Sequence, residues 1–146
     1  MSPVTPAAEA TVPETSVESN EVATEATENP DAMVDEALRQ LQTGEVPPMQ
    51  GILKIREVAE KYPGNVKANF TLGMLSMQTG QYAKAVGRFE TVLETQPENA
   101  DAWRLLAESQ LQIGDTVNAK ESLAKAVNLV DEETGIEFKK ELPELE

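Results

Sequence analysis

The chain has 146 residues, 12 of them basic and 26 acidic, for a formal net charge of −14, and it holds no cysteine and no histidine. That length fits one ordinary domain with a tail, and the missing residue types exclude disulfides, thiolate chemistry and the usual base and metal ligand near neutral pH. The acidity disfavours nucleic acid, held through its phosphates, and an anionic lipid surface as partners.

Residues 1–30 contain four prolines, six glutamates and no lysine or arginine. They lack leucine and every aromatic residue, so they cannot offset the entropy of ordering. We expect a disordered acidic tail or stalk over 1–30 and a folded domain over 31–146. Val34, Ala37, Leu38 and Leu41 fall on one helical face. Asp31 is expected to cap that helix or to favour its first turn, and Gly44 ends it. After a turn at "EVPPMQG", Ile52, Ile55, Val58, Ala59 and Tyr62 mark a second helix that stops at "YPGN". Four more helices are predicted, over roughly 66–79, 82–95, 100–113 and 116–130. A short last one covers about 132–141 and breaks before Pro143. No segment alternates with period two for long enough to make a strand.

The marks recur at 34 residues. Leu72 aligns with Leu106, Gly73 with Ala107, Gly80 with Gly114, Ala85 with Ala119, Phe89 with Leu123 and Val92 with Ala126. In the other direction Gly51 aligns with Ala85, Ile55 with Phe89, Val58 with Val92 and Pro63 with Pro97. Two helices per interval of that length describe a helix–turn–helix solenoid. Small residues stand where paired helices cross, and bulk there would force them apart. Gly80 and Gly114 serve the tight turns, and Pro63 and Pro97 terminate second helices.

This pattern resembles the tetratricopeptide repeat family, whose marks are W-x2-L-G-x2-Y, then A-x3-F-x2-A, then P. The second repeat shows Leu72, Gly73, Ala85, Phe89 and Pro97 in place. The third shows Trp103, Leu106, Ala107, Ala119 and Ala126. Asn69 stands where tryptophan is usual, Ser76 and Gln110 where tyrosine is usual, and Asp131 replaces the last proline. The first repeat is poorer, and its turn reads as one residue longer. The resemblance implies an all-α, right-handed solenoid of three helix–turn–helix repeats, about 31–65, 66–99 and 100–133, closed by a capping helix within 134–146. Ile136, with Lys139 and Lys140, suits that cap.

In this family the first helix of each repeat lines a concave groove that takes peptides. The resemblance therefore places Arg39, Lys67, Phe70, Met74, Met77, Arg104, Glu108 and Leu111 in a partner-binding groove. Phe70, Met74 and Met77 form one stripe beyond the core of their helix, with Arg39, Lys67 and Arg104 near its edge. Phe70 and Met74 stand where one subgroup has a lysine and an asparagine clamping a carboxylate, which argues against chaperone-tail recognition. The expected function is non-catalytic binding of a protein or peptide, without cofactor or metal. The alternative is a self-assembling homodimer that covers its own groove. The acidic groupings, Val130–Glu133 and Asp101 with Glu108, read as solvated surface, and no glycine-rich phosphate loop accompanies them. The layout also resembles small bacterial repeat proteins hung from a membrane anchor. The expected location is periplasmic and tethered if an anchor precedes Met1, and cytoplasmic otherwise.

Overall fold

The computed structural model describes residues 28–146, so the tail reading of residues 1–27 lies outside the described part. Seven α-helices follow in order: α1 Pro30–Thr43, α2 Pro48–Lys61, α3 Val66–Gln78, α4 Tyr82–Thr95, α5 Ala100–Gln112, α6 Thr116–Asn128 and α7 Glu132–Glu141. A single 3-10 turn, Pro143–Leu145, closes the chain, and the described residues contain no strand. Each helix packs on the next, and α1 also touches α3. This is the predicted all-α solenoid of three helix pairs and a terminal helix.

The first helix of every pair starts at an asparagine. Asn29, Asn65 and Asn99 each accept, through Oδ1, the backbone N–H three residues on, at 3.2, 2.8 and 3.0 Å. Asp131 caps α7 in the same way at 2.9 Å. These side chains satisfy donors that a helix start leaves without an intrahelical partner. Asn29 is thus the cap of α1, because capping requires the residue just before the helix, and Asp31 takes the other expected role, an acidic residue in the first turn. Within the pairs, the turns pass through Gly44, Gly80 and Gly114, at φ of 76°, 79° and 85°. Side chains disfavour that left-handed region, which glycine enters freely.

From Pro48 to Tyr82 is 34 residues, but from Pro30 to Val66 is 36. The first turn therefore carries two extra residues, one more than its sequence indicated. Pro47 and Pro48 hide the difference, since both fit a turn and the start of a helix.

Small residues sit at the crossings. A Cβ added to Gly73 would lie 2.8 Å from the Phe89 ring, and one added to Gly51 would lie 2.6 Å from the Leu41 side chain. Ala85, Ala107 and Ala119 are wholly buried. The core then runs as three clusters along the solenoid. Val34, Ile55, Val58 and Leu72 join α1, α2 and α3. Phe89, Val92, Leu105 and Leu106 join α4 and α5, with Phe70 and Met77 of α3 against them. Ala107, Leu123 and Ala126 join α5 and α6 to Phe138, Leu142 and Leu145. Burial of such side chains is worth roughly 1.5–3 kcal/mol each before entropy is counted.

Two further departures from the repeat pattern, Asn69 and Gln110, are accommodated by hydrogen bonds. Trp103 donates its Nε1–H to the carbonyl of Pro97 at 2.7 Å, and Asn69, one repeat earlier, donates to the carbonyl of Pro63 at 2.9 Å. Asparagine thus keeps the tryptophan's hydrogen bond and gives up its volume. Gln110 accepts a buried hydrogen bond from Ser122 at 2.7 Å. In the terminal segment Ile136 is 49% exposed, while Phe138, Leu142 and Leu145 are buried. Phe138 and its neighbours, rather than Ile136, cover the last repeat.

Candidate functional site

The first helices α1, α3 and α5 contribute to one surface. A pocket of about 420 Å³ opens there, lined by Asp31 and Leu38 of α1, Lys67, Phe70 and Thr71 of α3, and Asp101 of α5, among others. Each has its place from the local sequence. Lys67 lies in the first turn of α3, directly after the Asn65 cap, and its ammonium reaches Asp35 on α1 at 2.7 Å. That hydrogen bond raises the lysine's pKa. The side chain remains 41% exposed, so a ligand carboxylate has access to it. Phe70 follows one turn later. Its ring meets Phe89 edge-on, with centroids 5.6 Å apart and planes at 74°. That packing anchors the ring, which also lines the pocket.

The stripe expected from spacing divides by depth. Phe70 and Met77 are half-buried against the α4–α5 cluster, and Met74 stands 42% exposed between them. The face is therefore semi-rigid: one anchored ring, one adaptable thioether and one cation.

The remaining expected residues lie elsewhere. Arg39 forms ion pairs with Glu36, at 2.6 Å, and with Glu45 in the α1–α2 turn. Both carboxylates are held below their ordinary pKa, each by its hydrogen bond from this guanidinium. Arg104 is engaged by the terminal helix: it reaches Glu141 at 3.1 Å, lies 3.8 Å from Asp101, and stands 5.3 Å over the Phe138 ring. Its Nε is buried without a hydrogen-bond partner. Leu111 packs on the cluster under the cap, and Glu108 is half-buried on α5. Of the eight expected positions, Lys67 and Phe70 line the pocket, with Met74 and Met77 further along the same helix.

Leu38 and Thr71 line the pocket without having been singled out as ligand-facing. Leu38 was hidden because its spacing reads as core. Thr71 follows Lys67 by one helical turn, and that was the only available hint. No grouping of carboxylates suited to a metal occurs among the described residues.

A tetratricopeptide repeat family model matches residues 76–133. No curated protein matches the chain by sequence. Among solved structures, the type III secretion translocator chaperone SycD of Yersinia enterocolitica superimposes with a TM-score of 0.68 at 17% identity, covering 82% of this chain and 84% of that one. SycD in complex with a peptide of the translocator YopD gives 0.66 at 18% identity, over 78% and 89%. MamA from Desulfovibrio magneticus gives 0.61 at 19% identity, over 80% and 75%. At such identities the likeness is one of fold. Residues 76–133 thus match a tetratricopeptide repeat family model, and the helix pairs share the fold of these solved structures.

Proposed function

We propose that this chain is a non-catalytic interaction module that holds a peptide, or an extended segment of a partner protein, across the face of its first helices, in a scaffold or assembly role. The pocket between α1, α3 and α5 carries the proposal. It sets an anchored aromatic edge beside an accessible lysine and two aspartates, a mixture suited to an apolar side chain flanked by polar groups. SycD, which shares the fold, has been solved with a peptide of its translocator. That supports the peptide-binding reading for this chain.

The test is affinity capture from native extract with the full chain and with a Thr71→Glu, Met74→Glu variant. Both positions are at least partly exposed and lie outside the packed rings, so the variant should keep the wild-type circular dichroism and melting temperature. A partner held by the wild type and lost by the variant supports the proposal, and titration with peptides from that partner then maps the contact. Equal capture by both proteins refutes the assignment to this face. A mass that doubles with concentration for the wild type alone would support the homodimer in its place.

A further inference from the structure

The opposite face, built from second helices, has a cleft of about 540 Å³ between α2 and α4, floored by α3. Three cations line it: Arg56, Lys84 and Arg88. The other two arginines of the chain, Arg39 and Arg104, each hold a carboxylate. Arg56, Lys84 and Arg88 have none within 4.0 Å among the described residues. In a chain with 26 acidic residues, that vacancy is itself informative. Arg88 is half-buried, and that burial, followed by the charge of Arg56, lowers its pKa, while the more distant carboxylate of Glu60 acts in the opposite sense. The site therefore concentrates positive charge that no carboxylate of the described residues pairs directly.

The cleft is built, and Asn69 builds it. Its Nδ2 donates to the carbonyls of Pro63 and Asn65, at 2.9 and 2.8 Å, which fixes the orientation of the amide. Its Oδ1 then accepts from Nη1 of Arg88 at 3.1 Å and holds the guanidinium in place. A tryptophan at this position, as in the third repeat, would add an indole where the guanidinium now finds its acceptor.

The third repeat supplies an internal control. At 34 residues further on, Arg56 becomes Glu90, Asn69 becomes Trp103, Lys84 becomes Asn118 and Arg88 becomes Ser122. The equivalent cleft between α4 and α6 is smaller, about 390 Å³, and acidic residues line it at Glu90, Glu94 and Glu121. Ser122 turns inward to Gln110, and Lys125 lies 4.5 Å over the Trp103 ring. One backbone thus carries two clefts of opposite character, so the cations of the first do not follow from the fold.

We infer that the α2–α4 cleft is a second binding site, for an acidic peptide segment whose glutamate or aspartate carboxylate sits between the Arg56 and Arg88 guanidiniums. The cleft's Met49, Ile52, Leu72 and Leu75 would receive the apolar neighbours of that carboxylate. A lining both apolar and cationic fits a peptide better than a bare anion. Arginine forks bind carboxylates through paired, charge-assisted hydrogen bonds. Elsewhere the net charge of −14 repels such a segment, which directs it to this face. The inference is independent of the first-helix face.

The probe is a short fluorescein-labelled peptide, EELEEA, titrated into the full chain and followed by anisotropy, with QQLQQA as the uncharged control. We expect binding of the acidic probe alone, and a loss of roughly tenfold or more in affinity for Arg56→Ala with Arg88→Ala, the scale of one charge-assisted hydrogen bond. Lys120→Ala with Lys125→Ala should leave affinity unchanged. Arg56 is exposed, so Arg56→Ala alone keeps the fold and should still weaken binding. Absence of binding at millimolar probe, or equal affinity in the arginine variants, overturns the inference. Displacement by inorganic phosphate as effective as by unlabelled probe overturns the peptide assignment. Binding that appears only when Glu9, Glu14, Glu18, Glu21 and Glu25 are all changed to glutamine gives the cleft to the chain's own N-terminal glutamates, and overturns a partner as the source.

Discussion

Gly73 and Gly87 both lie inside helices, and replacing each with alanine should shift stability in opposite directions. Alanine favours a helix interior over glycine by about 1 kcal/mol. At Gly87 nothing lies within 4 Å of the added Cβ, so Gly87→Ala should gain about 0.5–1 kcal/mol. At Gly73 the Cβ would lie 2.8 Å from Cε1 and Cζ of Phe89, well inside the normal carbon separation of about 3.5–4.0 Å. Phe89 is 0% exposed and abuts Phe70, so its ring has little room to withdraw. Overpacking of this kind costs about 1–3 kcal/mol, which offsets the propensity gain of about 1 kcal/mol and leaves a net loss of up to about 2 kcal/mol. The chain also contains the compensating pair: Gly73 with Phe89 becomes Ala107 with Leu123 one repeat later. Phe89→Leu in the Gly73→Ala background should therefore recover much of the loss, a coupling that a double-mutant cycle isolates. Urea unfolding followed by circular dichroism gives each midpoint. A Gly73→Ala protein as stable as Gly87→Ala, or additive single and double variants, would refute the account of this crossing. The bulkier Gly73→Leu should lose more than Gly73→Ala, and an unchanged melting temperature would count against the repeat register.

Asn99→Ala should cost about 1 kcal/mol by removing the cap of α5, seen as a lower urea midpoint at constant slope. Phe138→Ala should cost about 3–5 kcal/mol, because its ring is buried among Ala107, Leu123 and Leu142. Trp103 packs on the same cluster, so its emission should shift toward the red in that variant. Asp131 caps α7, and the hydrogen bonds from Thr134 lower its pKa. A lowered carboxylate pKa stabilises above the unfolded pKa, and that contribution is lost as pH falls through the folded value. Asp131→Asn keeps an acceptor but cannot titrate, so its melting temperature should fall less than the wild type's between neutral pH and the acid side of that value. Glu36 and Glu45 titrate in the same sense in both proteins, so the difference between the two curves reports Asp131 alone.

What the sequence disclosed depended on whether a residue's role was local or shared across helices. Helix periodicity, the turn glycines and the small crossing residues were readable because each obeys a spacing rule along the chain. The capping asparagines obey one too, yet Asn29 was obscured by its place beside the acidic tail and by the longer first turn. Arg39 and Arg104 read as groove cations because their helical positions face the right way. Their engagement by Glu45 and Glu141 depends on a turn and a terminal helix, whose positions no local spacing gives. Phe70 looked surplus to its own helix pair, but besides meeting Phe89 of that pair it packs on a cluster that includes Leu105 and Leu106 of the next one. A solenoid helix serves two interfaces, and a reading confined to one hairpin accounts for only one.

That double duty explains why the departures from the repeat pattern are informative. Every residue at a crossing is read by two helices, so a lone change at one position leaves a void, a clash or an unpaired polar group. The chain instead shows changes in matched sets. Phenylalanine for leucine comes with glycine for alanine. Asparagine for tryptophan comes with arginine for serine at its Oδ1 and with arginine for glutamate across the cleft. The first set restores packing density and ends there. The second leaves two guanidiniums without a carboxylate among the described residues, an arrangement that packing does not require. A matched set that closes within the fold is structural. One that leaves charge open to solvent is not explained by packing, and it is the ground on which the carboxylate site between α2 and α4 is inferred.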